Sequence, residues 1–279
     1  MRDIDPDLPI GIFDSGVGGL TVMQAIRAAL PAESTVYLGD TARVPYGTKS
    51  RESVVRYSIQ ASDRLVASGI KLLVVACNTA SALALPELCQ HVAPLPVIGV
   101  VEPGARAAVE QGEGFRHLVL ATEATVAQRA YTRTILSLDP SAQVEELACS
   151  LFVALAEEGW TDGAVAESAA AAYLGAVAAR AESEQPDSVI LGCTHFPLLT
   201  SVIRATLGPV PRIVDSASAA ASVVAKTLED AQLLRQEVSA AQLRLLVTDG
   251  AARFARLGPR FLGESFAPSD VELVDLARP

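Results

Sequence analysis

Short runs of Val, Ile and Leu recur along the chain, each ending in Gly, Asp, Asn, Thr or Pro and each followed by a longer stretch of helical periodicity. That alternation is the pattern of strands joined by crossover helices. The strand candidates are "IGIFD" from 10, "TVYLG" from 35, "KLLVVA" from 71, "PVIGVV" from 96, "HLVLAT" from 117, "VEELA" from 144, "SVILG" from 188, "RIVD" from 212, "RLLVT" from 244 and "VELVD" from 271. Their near-continuous apolar character predicts an α/β protein with mostly parallel strands covered by helices on both faces. Ten strands crowd one open sheet, so two sheets in two domains are expected. Pro and Gly break the pattern at "VVEPGAR" and "LGPVPR", which sets the expected division at residues 1–100 plus 212–279 for one domain and 101–211 for the other. One unit recurs in both: a strand, then Cys, then Asn or Thr, then a helix.

Charge narrows the partners. The chain of 279 residues has 32 acidic against 22 Lys and Arg side chains, a formal charge of −10, which argues against nucleic acid or an anionic membrane surface as partner. An anionic ligand must be met locally. The opening "MRDIDPD" lacks a signal-peptide pattern, and the Ala-rich "AAAAYLGAVAA" is far short of the roughly 20 apolar residues that span a bilayer, so a cytoplasmic protein is expected. None of the four cysteines lies in a CxxC or a metal-ligand spacing; they read as free thiols, with no metal.

In open parallel sheets, ligands gather at the carboxyl ends of strands, where helix N-termini present free N–H groups. Cys77 in "VVACNTA" and Cys193 in "LGCTHFPLL" both fall there. Asn78 or Thr79 can cap the helix after Cys77, Thr194 or His195 the one after Cys193, and Pro197 suits a first turn. A thiol titrating near about 8.5 is lowered by a helix N-terminus or an imidazolium, so each cysteine reads as a base accessible near neutral pH. Free Cys is also a common core residue. Cys89, within a helical pattern, and Cys149, closing an apolar run, read that way; the paired setting of Cys77 and Cys193 favours chemistry.

Two rival sites fit poorly. "DSGVGGLT" at 14–21, with Asp40 downstream, approaches a dinucleotide fingerprint, but Thr21 replaces the third Gly and Asp14 would sit beside a pyrophosphate. A pyridoxal enzyme needs a Schiff-base lysine, and Lys71 and Lys226 sit in ordinary strand-start and helical contexts while Lys49 reads as a solvated loop charge.

"GIFDSGVGGLTV", "GDTARVPYG", "ACNTAS" and "LGCTHFPLL", in this order, resemble the motifs of the glutamate racemases, within the aspartate/glutamate racemase superfamily. The likeness runs from about residue 9 to 217, ending in "IVDSA". It implies two similar α/β domains related by a pseudo-twofold axis, with the active site in the cleft between them and no cofactor. One thiol would stand on each side of the substrate α-carbon, Cys193 removing the proton of L-glutamate and Cys77 that of D-glutamate. By the same resemblance Asp14 assists on the Cys77 side or accepts the ammonium, His195 partners Cys193, and Glu157 is a further acidic group. Ser15, Tyr46, Gly47, Asn78, Thr79, Thr125 and Thr194 match substrate-contacting positions. A homodimer supplying D-glutamate for peptidoglycan is the implied setting. Ala124, Gln128, Ser150 and Phe196 depart from the usual motifs, which bears on the detail of the second-domain pocket and of the subunit contacts. Alternatives are a racemase of aspartate and a non-catalytic amino-acid-binding module.

Overall fold

A computed structural model describes residues 4–110, 114–236 and 240–276. All ten apolar runs are strands: β1 Ile10–Asp14, β2 Thr35–Gly39, β3 Leu72–Val75, β4 Val97–Gly99, β5 Arg116–Ala121, β6 Gln143–Ala148, β7 Ser188–Gly192, β8 Arg212–Asp215, β9 Leu243–Val247 and β10 Val271–Leu273. They form a six-stranded sheet in the order β10-β9-β2-β1-β3-β4 and a four-stranded sheet in the order β6-β5-β7-β8. Every pairing is parallel. Burial on both faces explains the unbroken apolar runs, since β1, β2, β3 and β7 are buried at every position. The edge strand β6 is only half-buried and carries Glu145 and Glu146.

The order β6-β5-β7-β8 repeats β2-β1-β3-β4. In each, the chain leaves the first strand, adds its neighbour on one side, then returns to add the next strand on the other side. Each sheet therefore has a switch point, between β1 and β3 and between β5 and β7, where flanking loops part and leave a crevice. The expected boundary at 212 falls one strand early: Arg212–Asp215 pairs with β7, from Ser188↔Arg212 to Leu191↔Asp215, and so belongs to the second sheet. The Pro/Gly break at "LGPVPR" is only the approach to that strand.

The sheets are joined through helices. Helix Ser216–Asp230, capped by Asp215 at the N–H groups of Ala217 and Ser218, packs on both Leu20–Ala29 and Val101–Glu110. One buried cluster accordingly runs from Ile12, Leu20 and Ile26 through Ala220 and Val224 to Val189 and Phe196. Cys149 is core, as its run suggested; Cys89 is not, because the outer face of helix Asn78–His91 leaves it exposed. Lys71 is no ordinary strand-start residue either. Its fully buried ammonium pairs with Glu33 at 2.5 Å and donates to the carbonyls of Pro6 and Leu233 at 2.6 and 2.9 Å.

Candidate active site

The two switch points face one cavity of about 290 Å³. β1 ends in Asp14 and runs into Ser15; β3 ends just before Cys77; β7 ends just before Cys193. Ser15, Tyr46, Gly47, Cys77, Asn78 and Thr79 line the cavity from the first sheet, and Glu157, Cys193, Thr194 and His195 from the second. These are ten of the residues singled out in the sequence. Asp14 and Thr125 are buried behind the wall rather than in it.

The Cys77 side is held by backbone. Cys77 itself is the N-cap of helix Asn78–His91, its Sγ accepting from the N–H of Ala80 at 3.4 Å, so neither Asn78 nor Thr79 caps that helix. The thiol donates to Ser15 Oγ at 3.4 Å. Burial pushes the Cys77 thiol up to about 12, with the nearby Asp14 carboxylate adding to it, against the opposing bonds from Ser15 and Ala80. The expected lowering by a helix N-terminus is thus outweighed by burial. Asp14 accepts from the N–H of Gly16 at 2.8 Å, and burial raises its carboxyl above the usual range despite the charge of His195 and the N–H groups of Gly16, Gly19 and Ser15.

The Cys193 side is held by side chains. His195 Nδ1 lies 3.8 Å from Cys193 Sγ, and Nε2 lies 3.3 Å from Glu157 Oε1. Glu157 Oε2 in turn accepts from Arg253 Nη2 at 2.8 Å, and its main-chain carbonyl accepts from Arg260 Nη1 at 2.9 Å. Burial opposes a charged His195, yet the hydrogen bonds and charges of Cys193 and Glu157 outweigh it and raise the imidazole to about 10. The same bond to His195 holds the Glu157 carboxyl below its ordinary value against the effect of burial. Thr194 and His195 make no side-chain cap to the 3-10 turn Phe196–Leu199.

Close approach between the halves depends on two glycines. A β-carbon at Gly18 would fall 2.3 Å from Thr194 Oγ1 and 2.5 Å from the His195 ring, and one at Gly47 would fall 2.8 Å from Thr122 Cβ. Thr21, the residue that spoils the dinucleotide fingerprint, shares its single hydroxyl hydrogen between the Gly18 carbonyl at 2.9 Å and, across the halves, the Thr194 carbonyl at 3.2 Å. Thr122 lines the cavity and was missed in the sequence. It follows β5 directly at the second switch point, a position equivalent to Ser15 after β1, and it bonds Thr79 at 3.0 Å and Thr125 at 3.1 Å. Of the departing residues, Ser150 lines the cavity, while Phe196 is core and packs edge-on against Phe152.

Asp40 does not face a ribose site: it is buried and accepts from Tyr46, Arg43 and Thr248. Among the described residues no group of three or more His, Cys, Asp or Glu is arranged to hold a metal ion, and no helix is long and apolar enough to cross a membrane.

Two thiols thus face one crevice from corresponding ends of two parallel sheets. The model of the family described as Asp/Glu/Hydantoin racemase matches residues 10–224, and the chain belongs to that family. Its near relatives narrow the class to glutamate racemases. The glutamate racemase of Geobacter metallireducens is 50% identical over 254 residues, covering 91% of this chain and 92% of that protein. The crystal structure of glutamate racemase from Francisella tularensis in complex with D-glutamate superposes with a TM-score of 0.89 at 33% identity, covering 97% and 98% of the two chains. That of Thermus thermophilus in complex with beta-chloro-D-alanine gives 0.85 at 42% identity, covering 98% of each.

Proposed function

We propose that the protein interconverts L- and D-glutamate without a cofactor, by moving the α-proton between Cys77 and Cys193. One observation carries this reading: the two thiols, from corresponding strand ends of two sheets, line the same cavity. The cleft is then the seam between two α/β units, one built on β1–β4, β9 and β10 and the other on β5–β8. Inverting a stereocentre with a single base requires the base or the planar intermediate to change faces. Opposed bases remove that requirement. Cys193, beside the His195 imidazolium, takes the proton of L-glutamate while the Cys77 thiol delivers one to the opposite face; D-glutamate reverses the roles. Each pK unit separating the Cα–H from its acceptor thiol adds about 1.36 kcal/mol to the proton transfer. Preorganised donors must offset this: the N–H groups at the start of helix Asn78–His91, the hydroxyls of Ser15, Thr79, Thr122 and Thr194, and the excluded water of a closed cleft. They also hold two carboxylates in an acidic protein. In a bacterial cell the product would feed peptidoglycan synthesis, and the reading includes a homodimer.

Circular dichroism of L-glutamate with dialysed protein tests it. The signal should decay to zero, and should persist with Cys77→Ser or Cys193→Ser. Faster decay with L-aspartate would reassign the substrate, and tight glutamate binding with no decay in wild type would leave an amino-acid-binding module instead.

A further inference from the structure

Both side chains that hold Glu157 in place come from the unit of the other sheet. Glu157 lies in the last turn of helix Leu151–Glu158 beside the second sheet, whereas Arg253 and Arg260 lie on helices Ala251–Leu257 and Pro259–Leu262, between β9 and β10 of the first. Arg253 Nη2 donates to Glu157 Oε2 at 2.8 Å, and Arg260 Nη1 to the Glu157 carbonyl at 2.9 Å. Carbonyls in the last turn of a helix have no partner further along it, so Arg260 supplies what the helix cannot. Gly159, at φ +77°, keeps the turn open to that arginine, since a β-carbon there would fall 2.6 Å from the guanidinium carbon. The same helices touch the imidazole. The Phe261 ring stands edge-on to His195, with ring centroids 5.2 Å apart.

These contacts bear on the loosest joint beside Cys193. His195 Nε2 and Glu157 Oε1 are 3.3 Å apart, long for a bond between charged groups, and the last torsion of a Glu side chain is broad and roughly two-fold. A carboxylate held at one oxygen can turn and carry Oε1 away from the ring; a second bond at Oε2 restrains that turn. Charge alone works in the other direction, because a guanidinium near the pair disfavours an imidazolium. Exposure decides between the two effects. The Arg253 side chain is 55% exposed, so water screens its charge at the ring, whereas that of Glu157 is 19% and that of His195 8% exposed. The other titratable groups facing His195 are Cys193 of its own loop and Asp14 at the end of β1. Arg253 does not reach the wall between the thiols: with Asp249 it lines a neighbouring cavity of about 140 Å³ that shares Glu157 with the larger one.

We propose that Arg253 is a positioning residue acting through Glu157, by which the first unit holds the second unit's Glu157–His195 pair together beside Cys193. The proposal deepens the glutamate reading and rests on it for the role of Cys193. Proton transfer at that thiol then depends on the two units standing as close as they do here, because opening the seam withdraws both arginines and Phe261 from the pair.

The test follows the His195 imidazole by NMR against pH in ligand-free protein, its resonance told from those of His91 and His117 by its loss in His195→Gln. Arg253→Met keeps an apolar stem and removes the donor. His195 should titrate about half a pH unit lower in this variant than in wild type, within the range that an exposed ion pair supports. On the alkaline side kcat should fall about threefold, the same shift read as a rate, while KM for glutamate changes less than about twofold. Added to Glu157→Gln, Arg253→Met should move neither quantity. A His195 titration that rises or stays in place would overturn the proposal, as would a downward shift of equal size in the Glu157→Gln background or a defect confined to KM. The titration needs no turnover, so wild type that fails to racemise glutamate would remove the glutamate reading while the titration still decides the role of Arg253.

Discussion

Glu157→Gln separates the electrostatic part of the Cys193 side from its geometry. Glutamine keeps the volume and can still meet His195 Nε2, which lies 3.3 Å from Glu157 Oε1, but it removes the negative charge. The Glu157 side chain is 19% exposed and that of His195 8%, so solvent screening trims the pair without erasing it. A hydrogen bond to a charged group contributes about 1.5–3 kcal/mol, which at about 1.36 kcal/mol per pH unit moves the titration of His195 down by roughly one to two pH units from about 10. At neutral pH the imidazole stays largely protonated, so kcat/KM should fall less than about tenfold there. On the alkaline side the loss should grow steeply. Profiles of kcat/KM against pH for both enantiomers, wild type against Glu157→Gln, read this directly. Stability should follow the same group: a raised histidine contributes fully below its unfolded value near about 6.5, and that contribution is lost as pH rises through about 10, so the variant should lose it at lower pH. A loss of activity independent of pH, with the alkaline limb unmoved, would refute the electrostatic role of Glu157.

Four further outcomes are expected. In D₂O, Cys77→Ser should retain α-proton abstraction from L-glutamate alone and Cys193→Ser from D-glutamate alone, read as elimination from a β-leaving-group analogue; loss of both in both variants would contradict the facial assignment. Gly18→Ala, whose new methyl would press on Thr194 and His195, should destabilise by about 1–3 kcal/mol and depress turnover further than its melting shift alone predicts; full activity would show that the halves can separate freely there. Iodoacetamide should modify exposed Cys89 first without loss of activity, with inactivation following slower, substrate-protected labelling in the cavity, and mass spectrometry after brief exposure checks the order. Lys71→Met should lower unfolding free energy in urea by about 3–5 kcal/mol by stranding Glu33, and adding Glu33→Gln should restore part of it; no recovery would mean that the buried ion pair is not the source of the loss.

The strands were legible because a parallel strand buried on both faces leaves an unbroken apolar run, and even the half-buried β6 shows as "VEELA". Both thiols were legible because strand ends in such sheets are where ligands gather. What escaped depends on contacts remote in sequence. The place of β8 is set by its register with β7, which no local signal announces. Glu157 was named only through the family resemblance, because its partners are His195, 38 residues on, and Arg253, 96 residues on. Cys89 and Lys71 were misjudged because which face of a helix is covered, and what lies over a strand's first residue, are tertiary facts. Local pattern predicted a lowered Cys77 thiol from its helix; burial, invisible in the chain, reverses the direction.

The two thiols occupy equivalent places in a repeated strand order and meet opposite electrostatics. Behind Cys77 stands a carboxyl; beside Cys193 stands an imidazole raised to about 10 by its bonds to Cys193 and Glu157. On the proposed mechanism the first side would offer a proton and the second a cation beside its sulfur, the state suited to L-glutamate. A racemase must also work in reverse, which requires Cys77 to become the base. Two changes would move it. On that mechanism a substrate ammonium would bring a positive charge toward the thiol, and Asp14, already raised by burial, could be neutralised by taking a proton, which would remove the lesser of the two causes, after burial, that hold Cys77 up. Under the proposed mechanism Asp14 would serve Cys77 best as a group that changes charge, and His195 would serve Cys193 best as one that does not. That division would fit a switch point whose carboxyl is backed by main-chain N–H groups and a tyrosine hydroxyl, opposite one whose histidine bonds Glu157, itself anchored by Arg253 and Arg260.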